Sequence, residues 1–300
     1  MHRPLTLLVL LSLLTGCALW PFGKDGKNDD EEDIDTTEQV LYRSAQSSLR
    51  SSNFRDAIEK LERLEARFPF GRYAEQAQLE LIYAHFKSYE PDAARSAADR
   101  FIRLHPQHPS VDYAFYMKGI ASFYADRGFL DRFRSTDVSR RDQTNNRQAF
   151  ADFSEFLARY PESYYAADAR QRMVYLRNVL ASAEIQVANY YMRRAAWVAA
   201  GNRARNVVEH YDQSQAMPDA LAILVETNWQ LGLEDAARDA LDVLAHNYPS
   251  YPAFDEEGRF VFKQSVLNSD RSWLNMMTFG LLARPDVPPP IRIETGPGQS

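Results

Sequence analysis

One phrase recurs five times along this chain, and its recurrence restricts the fold more than any other feature. Ala57, Ala94, Ala149, Ala200 and Ala237 each open it, and an apolar residue follows seven positions later, at Leu64, Phe101, Phe156, Val207 and Leu244. An aromatic residue or histidine stands at the eleventh position (Phe68, His105, Tyr160, Tyr211, Tyr248) and proline at the twelfth in all but one (Pro69, Pro106, Pro161, Pro249, with Asp212 in the fourth). Such spacing describes a helix with an apolar stripe, stopped by a residue that cannot donate a backbone hydrogen bond. The small opening residue lets another helix approach closely, and a helical stretch precedes each phrase: Gln39–Ser51, Ala74–Ser88, Val111–Asp126, Ala183–Arg194 and Pro218–Leu231. The unit is a helical hairpin. With only 12 glycines and little alternation of β-branched residues, a sheet is not expected, and the predicted class is all-α.

Two intervals between the alanines are 37 residues, close to the length of a tetratricopeptide repeat, whose phrasing of alanine, aromatic and proline is similar. The spacing predicts an α-solenoid of about five tetratricopeptide-like hairpins over residues 36–250, each burying its apolar face on its neighbours. The two middle intervals, 55 and 51 residues, require insertions. A polar loop, Arg127–Asn146, is expected within the third hairpin, and an extra helix, roughly Tyr164–Leu180, before the fourth.

The ends differ from the middle. His2 and Arg3 precede an apolar run from Leu5 to Leu14, and the only cysteine, Cys17, follows Leu14-Thr15-Gly16. The run is too short to span a bilayer, which takes about 20 apolar residues, and reads as a cleaved signal over residues 1–16. Leu14-Thr15-Gly16-Cys17 resembles a lipobox, which implies acylation of Cys17. Ala18 stands where inner-membrane lipoproteins carry aspartate, so by that sorting rule the anchor belongs to the periplasmic face of the outer membrane. Residues 17–35, with Asp29, Asp30, Glu31, Glu32, Asp33 and Asp35, read as an acidic tether. A calcium loop would need glycine and spaced oxygens that are missing here. Residues 251–283 are expected to form a helical extension, with a helix over Glu256–Asn268 that turns Phe260, Val261 and Val266 inward and a cap over Trp273–Leu282. A proline-rich tail, 284–300, is expected to be disordered.

No motif assembles a nucleophile, a base and a stabilising group. His105-Pro-Gln-His108 is the nearest to a metal-ligand pair but sits at a helix end, where histidine suits the dipole. Glu155, Glu162 and Asp168 suggest a glycosidase pair less readily than solvated helix faces. The formal net charge of −6 disfavours nucleic acid. No catalytic residue, metal or cofactor is therefore expected. What remains is surface: Phe68-Pro69-Phe70-Gly71-Arg72-Tyr73, followed by Leu79, Tyr83 and Phe86, reads either as core or as a groove for an extended peptide with a terminal aromatic residue, with Arg72 or Lys87 near its charge.

Longer phrases carry a narrower resemblance. Phe101-Ile-Arg-Leu-His-Pro-Gln-His-Pro109, Asp112-Tyr-Ala-Phe-Tyr-Met-Lys-Gly119, Arg159-Tyr-Pro-Glu-Ser-Tyr-Tyr-Ala-Ala-Asp-Ala169 and Leu180-Ala-Ser-Ala-Glu-Ile-Gln-Val-Ala-Asn-Tyr-Tyr191 with Ala196-Trp197 resemble the BamD family, tetratricopeptide-repeat lipoproteins of the outer-membrane β-barrel assembly machinery. The resemblance covers roughly residues 17–250. It implies a non-enzymatic scaffold whose partners are a BamA-like barrel insertase, companion lipoproteins and unfolded outer-membrane proteins. By analogy Phe68, Phe70 and Tyr73 would receive the substrate's targeting segment, and Arg194 and Arg203 would face the insertase. Asp137-Val-Ser-Arg-Arg-Asp142 keeps part of the family's Arg/Asp-rich phrase. The alternative reading is a peptidoglycan-associated lipoprotein that regulates cell-wall synthesis.

Overall fold

The structure, a computed structural model, describes residues 37–125 and 138–262. Cys17 with the signal and tether, most of the Arg127–Asn146 loop, Val266, Trp273–Leu282 and the tail lie outside the described residues. Within them the fold is all-α, with ten α-helices: α1 (Glu38–Arg50), α2 (Phe54–Arg67), α3 (Ala74–Lys87), α4 (Pro91–Leu104), α5 (Val111–Tyr124), α6 (Thr144–Arg159), α7 (Ala166–Met192), α8 (Trp197–His210), α9 (Met217–Gln230) and α10 (Glu234–Asn247). They pack in chain order as five hairpins, each second helix but the last lying between its own partner and the next first helix. First helices of neighbouring hairpins also touch, α3 with α5 and α7 with α9, so they share one face of the stack.

The sequence phrase maps directly onto this packing. All five opening alanines are fully buried, and so are Leu64, Phe101, Phe156, Val207 and Leu244 seven residues on. Each second helix ends at the aromatic or histidine position, whose N–H donates to the carbonyl of that apolar residue at 2.8 Å in every repeat. Three residues further on the N–H returns to the aromatic carbonyl: Gly71 to Phe68, His108 to His105, Ser163 to Tyr160, Ser214 to Tyr211 and Tyr251 to Tyr248. Asp212 makes the same turn as the four prolines, so proline enforces the helix stop without being needed for it.

The turns inside the hairpins share a second device. Ser52, Tyr89, Ala195 and Gly232, each five residues before its alanine, have positive φ of 60°, 62°, 54° and 74°. The following N–H reaches back five residues, from Asn53 to Ser48, Glu90 to His85, Ala196 to Tyr191 and Leu233 to Asn228, at 2.9–3.0 Å. This is the Schellman end of a helix, and glycine, the residue that adopts it without strain, occurs at only one of the four. In the third hairpin the insertion separates the two helices, and within its described part Val138–Arg140 form one 3₁₀ turn that packs on α7.

Two expectations are corrected. The extra helix over Tyr164–Leu180 and the first helix over Ala183–Arg194 are one 27-residue helix, α7. No glycine or proline separates them, and Leu176, Leu180, Ala181, Ile185, Ala188 and Met192 stay buried across the supposed break. After Tyr251, the described part of the extension forms turns, with Phe254 and Phe260 in an isolated antiparallel bridge, where a helix was expected from Glu256. Asp255 explains the difference, since its carboxylate accepts the N–H groups of Glu257 (3.2 Å) and Arg259 (2.7 Å) and Gly258 takes φ +73°, a local turn that competes with helix. Phe260 is buried as expected, but Phe262 and not Val261 points inward with it, following the alternation of an extended chain. Together they cover Leu221, Val225, Leu241 and Leu244 at the end of the stack.

Candidate functional site

The shared face of the first helices is lined by tyrosines whose hydroxyls donate to carboxylates on the neighbouring first helix. Tyr42 on α1 donates to Glu80 Oε1 on α3 at 2.8 Å, and Tyr116 on α5 donates to Asp168 Oδ2 on α7 at 2.8 Å. Ring contacts run alongside: Tyr73 stacks on Tyr42 at 4.5 Å, Tyr116 on Tyr165 at 4.7 Å, and Tyr113 lies 5.7 Å from Tyr165. Burial, reinforced by the bond to Asp168, pushes the Tyr116 phenol up to about 12. Burial likewise raises Tyr42 and Tyr113, so these hydroxyls stay protonated donors. At Asp168 burial acts upward, but bonds from Arg172 (Nε at 2.5 Å) and Tyr116 outweigh it and hold the carboxyl below its usual range. Arg172 in turn lies over the rings of Phe123 (4.8 Å) and Tyr124 (5.6 Å).

The residues expected to receive a peptide lie at the first inter-repeat turn in three different states. Phe70 is 99% exposed, Phe68 is half-buried beneath the Arg67 guanidinium, and Tyr73 is held by its stack on Tyr42 and by its N–H, which donates to Glu38 Oε1 at 2.7 Å. Arg72 lies 5.8 Å from the Tyr73 ring and Lys87 5.7 Å from Tyr83. Leu79 and Phe86 belong to the core cluster of the second and third hairpins, so the sequence run divides between core and surface.

Toward the C-terminus, Arg194 is exposed and stacks on Tyr190 at 4.4 Å. Arg203 reaches the buried Glu184 at 3.0 Å, and Arg147 reaches the same carboxylate at 3.6 Å. Arg194 and Arg203 are thus held differently: the first rests on a ring, the second neutralises a carboxylate. His105 and His108 both face Glu75, at 3.4 and 3.5 Å, and no group of three or more His, Cys, Asp and Glu side chains suited to a metal occurs among the described residues. Glu155 pairs with Arg159 at 3.0 Å, and Asp168 is occupied as described, while Glu162 is exposed.

Sequence reasoning missed Glu80, Tyr113 and Tyr116 as surface chemistry, and Asp152 and Glu184 as buried charges. Asp152 accepts Arg95, Ser122 (2.8 Å) and Gln148 (3.1 Å), with Lys118 at 3.8 Å, and so links α4, α5 and α6. The signal available was a lone acid inside an apolar helix run, as in Leu79-Glu80-Leu81-Ile82.

Five stacked hairpins with a tyrosine-lined face define a helical-repeat scaffold of the tetratricopeptide type. Among the described residues no helix is long and apolar enough to cross a membrane. The family model of the YfiO outer membrane lipoproteins matches residues 34–244, and the chain belongs to that family. Relatives named Outer membrane protein assembly factor BamD include those of Neisseria meningitidis, 42% identical over 246 residues (81% of this chain, 92% of that protein), and Vibrio cholerae, 40% identical over 235 residues (78% and 94%). A third, from Haemophilus influenzae, is 31% identical over 245 residues (82% and 90%). A solved tetratricopeptide repeat protein from Parabacteroides merdae is similar only loosely, at 12% identity and a TM-score of 0.31 over 81% of this chain and 74% of that one.

Proposed function

We propose that this protein is a lipid-anchored scaffold for the assembly of outer-membrane β-barrel proteins, held at the periplasmic face of the outer membrane through Cys17. An unfolded substrate lays its targeting segment along the first helices of the N-terminal repeats, where Phe68, Phe70 and Tyr73 meet its terminal aromatic residue. The C-terminal repeats, with Arg194 and Arg203, bind the periplasmic domain of a barrel insertase, and companion lipoproteins complete the assembly. The observation that carries the peptide half is the line of partly exposed tyrosine rings along the first helices, Tyr42 with Tyr73 and Tyr116 with Tyr165, which offers apolar surface to an extended chain. The names of the relatives support the assembly half, and none of those given above points to the cell wall. Affinity capture of the full-length protein from a detergent extract is the test: a large barrel protein should come with it, and capture without one rejects the scaffold role.

A further inference from the structure

Glu80, a carboxylate on the shared face, stands without a cation among the described residues. Its Oε1 accepts the Tyr42 hydroxyl at 2.8 Å and the Gln76 amide at 2.9 Å, but its Oε2 is buried and has no hydrogen-bond partner. Asp168 provides the comparison, since it too accepts a tyrosine hydroxyl from a neighbouring first helix. One turn further along α7, Arg172 neutralises it at 2.5 Å. The equivalent position one turn beyond Glu80 is Ala84, which is fully buried and carries no charge. A buried carboxylate oxygen with no donor is destabilising, more so where the charge is unpaired, and such an atom calls for an explanation.

The surroundings suit one kind of guest. Tyr83, three residues along α3 and so on the same side of the helix, is partly exposed. Tyr113 reaches in from α5, its phenol raised first by burial and then by the nearby charges of Tyr165, Tyr83, Tyr116 and Glu80. Phenol rings around a carboxylate attract a cation through both the ring faces and the charge.

We propose that Glu80, with Tyr42, Tyr83 and Tyr113 around it, is a specificity subsite for a lysine or arginine side chain of the bound peptide. The proposal rests on the reading that an extended segment lies on this face, and it adds a selectivity that an aromatic pocket alone would not have. The guest ammonium or guanidinium supplies to Glu80 Oε2 the charged donor that Arg172 supplies to Asp168. A neutral side chain of equal length leaves the oxygen unpaired.

The test uses the full-length protein in detergent and short strand-forming peptides ending in phenylalanine. A single lysine is walked through the positions before it, each peptide paired with a glutamine twin, and binding is followed by fluorescence anisotropy. At one position the lysine peptide should bind about tenfold tighter than its twin, the scale of a hydrogen bond to a charged group. Glu80→Gln, which keeps the acceptor for Tyr42 and Gln76 but removes the charge, should erase that preference so that the twins bind alike, and an unchanged circular dichroism spectrum reports that the variant is folded. Equal binding of every pair to the wild-type protein would overturn the subsite, with water alone serving Oε2, while leaving the peptide site standing. A lysine preference that survives in Glu80→Gln would assign it to another acid and overturn the proposal. Failure of all the peptides to bind would overturn the peptide reading and the subsite with it.

Discussion

Replacing Asp152 by alanine should weaken the middle of the stack far more than an average substitution. Asp152 is 3% exposed, and its carboxylate is shared by Arg95 of α4, Ser122 and Lys118 of α5 and Gln148 of its own helix α6. Without it Lys118 keeps Asp99 at 2.8 Å, but Arg95 is left with only the Ser122 hydroxyl at 2.7 Å. Breaking a buried ion pair from one side costs about 3–5 kcal/mol. Because the Arg95 side chain is 26% exposed and Lys118 retains a partner, the low end of that range, about 3 kcal/mol, is expected. Urea unfolding of a soluble form lacking the signal and anchor cysteine measures it. Since repeat arrays couple through neighbouring interfaces, the variant should also separate its unfolding into two steps on either side of α4–α6. The double variant Arg95→Met, Asp152→Leu removes both charges and should recover most of the loss. A single variant within about 0.5 kcal/mol of wild type, the range of ordinary surface changes, would refute the reasoning, as would a double variant no more stable than the single.

Gly119→Ala should destabilise: a Cβ there would lie 2.6 Å from two ring carbons of the buried Phe153, and overpacking of about 1–3 kcal/mol outweighs a helix-propensity gain of about 1 kcal/mol. Thermal melts of Gly119→Ala with and without Phe153→Leu check it, the second change restoring part of the loss. Tyr89→Gly should raise stability by up to about 1 kcal/mol by relieving its positive φ, whereas Gly232→Ala should cost a similar amount although a Cβ there meets nothing within 4 Å; chemical denaturation of the two should move in opposite directions. Asp168 has a lowered carboxyl pKa in the folded state, so the stability it contributes is complete above the unfolded value of about 4 and is lost as pH falls through the folded one. Asp168→Asn should flatten the corresponding part of an acid-unfolding curve. Cys17→Ala should move the protein from the membrane to the soluble fraction with its circular dichroism unchanged.

The repeating phrase made the hairpins legible because alanine, apolar residue, aromatic and proline each do one mechanical job, and all five copies do it. The extent of α7 was not legible, because the insertion ahead of the fourth phrase ends in Leu180-Ala-Ser-Ala-Glu, which carries no stop, and helicity simply continued through it. The turn after Tyr251 was misread for the opposite reason: Phe260, Val261 and Val266 suit a helical stripe and the pair Phe260 and Phe262 suits a strand face, and the Asp255–Gly258 turn decides between them. The candidate face was legible only in part. Aromatic density drew attention to the Phe68–Tyr73 turn, but a linear reading could not divide Phe70 at the surface from Phe86 in the core. Glu80, Tyr113 and Tyr116 lie far apart in sequence and come together only because first helices stack on first helices. Arg203 is expected from the resemblance to face the insertase, and its bond to Glu184, 19 residues back, was not legible because it depends on the α7–α8 contact.

Site-specific crosslinking in living cells, from a photoreactive residue at Phe70 and separately at Arg203, tests the division of labour most directly. Unfolded outer-membrane protein should be captured from position 70 and a large barrel protein from position 203. Capture of the same partner at both positions would contradict it.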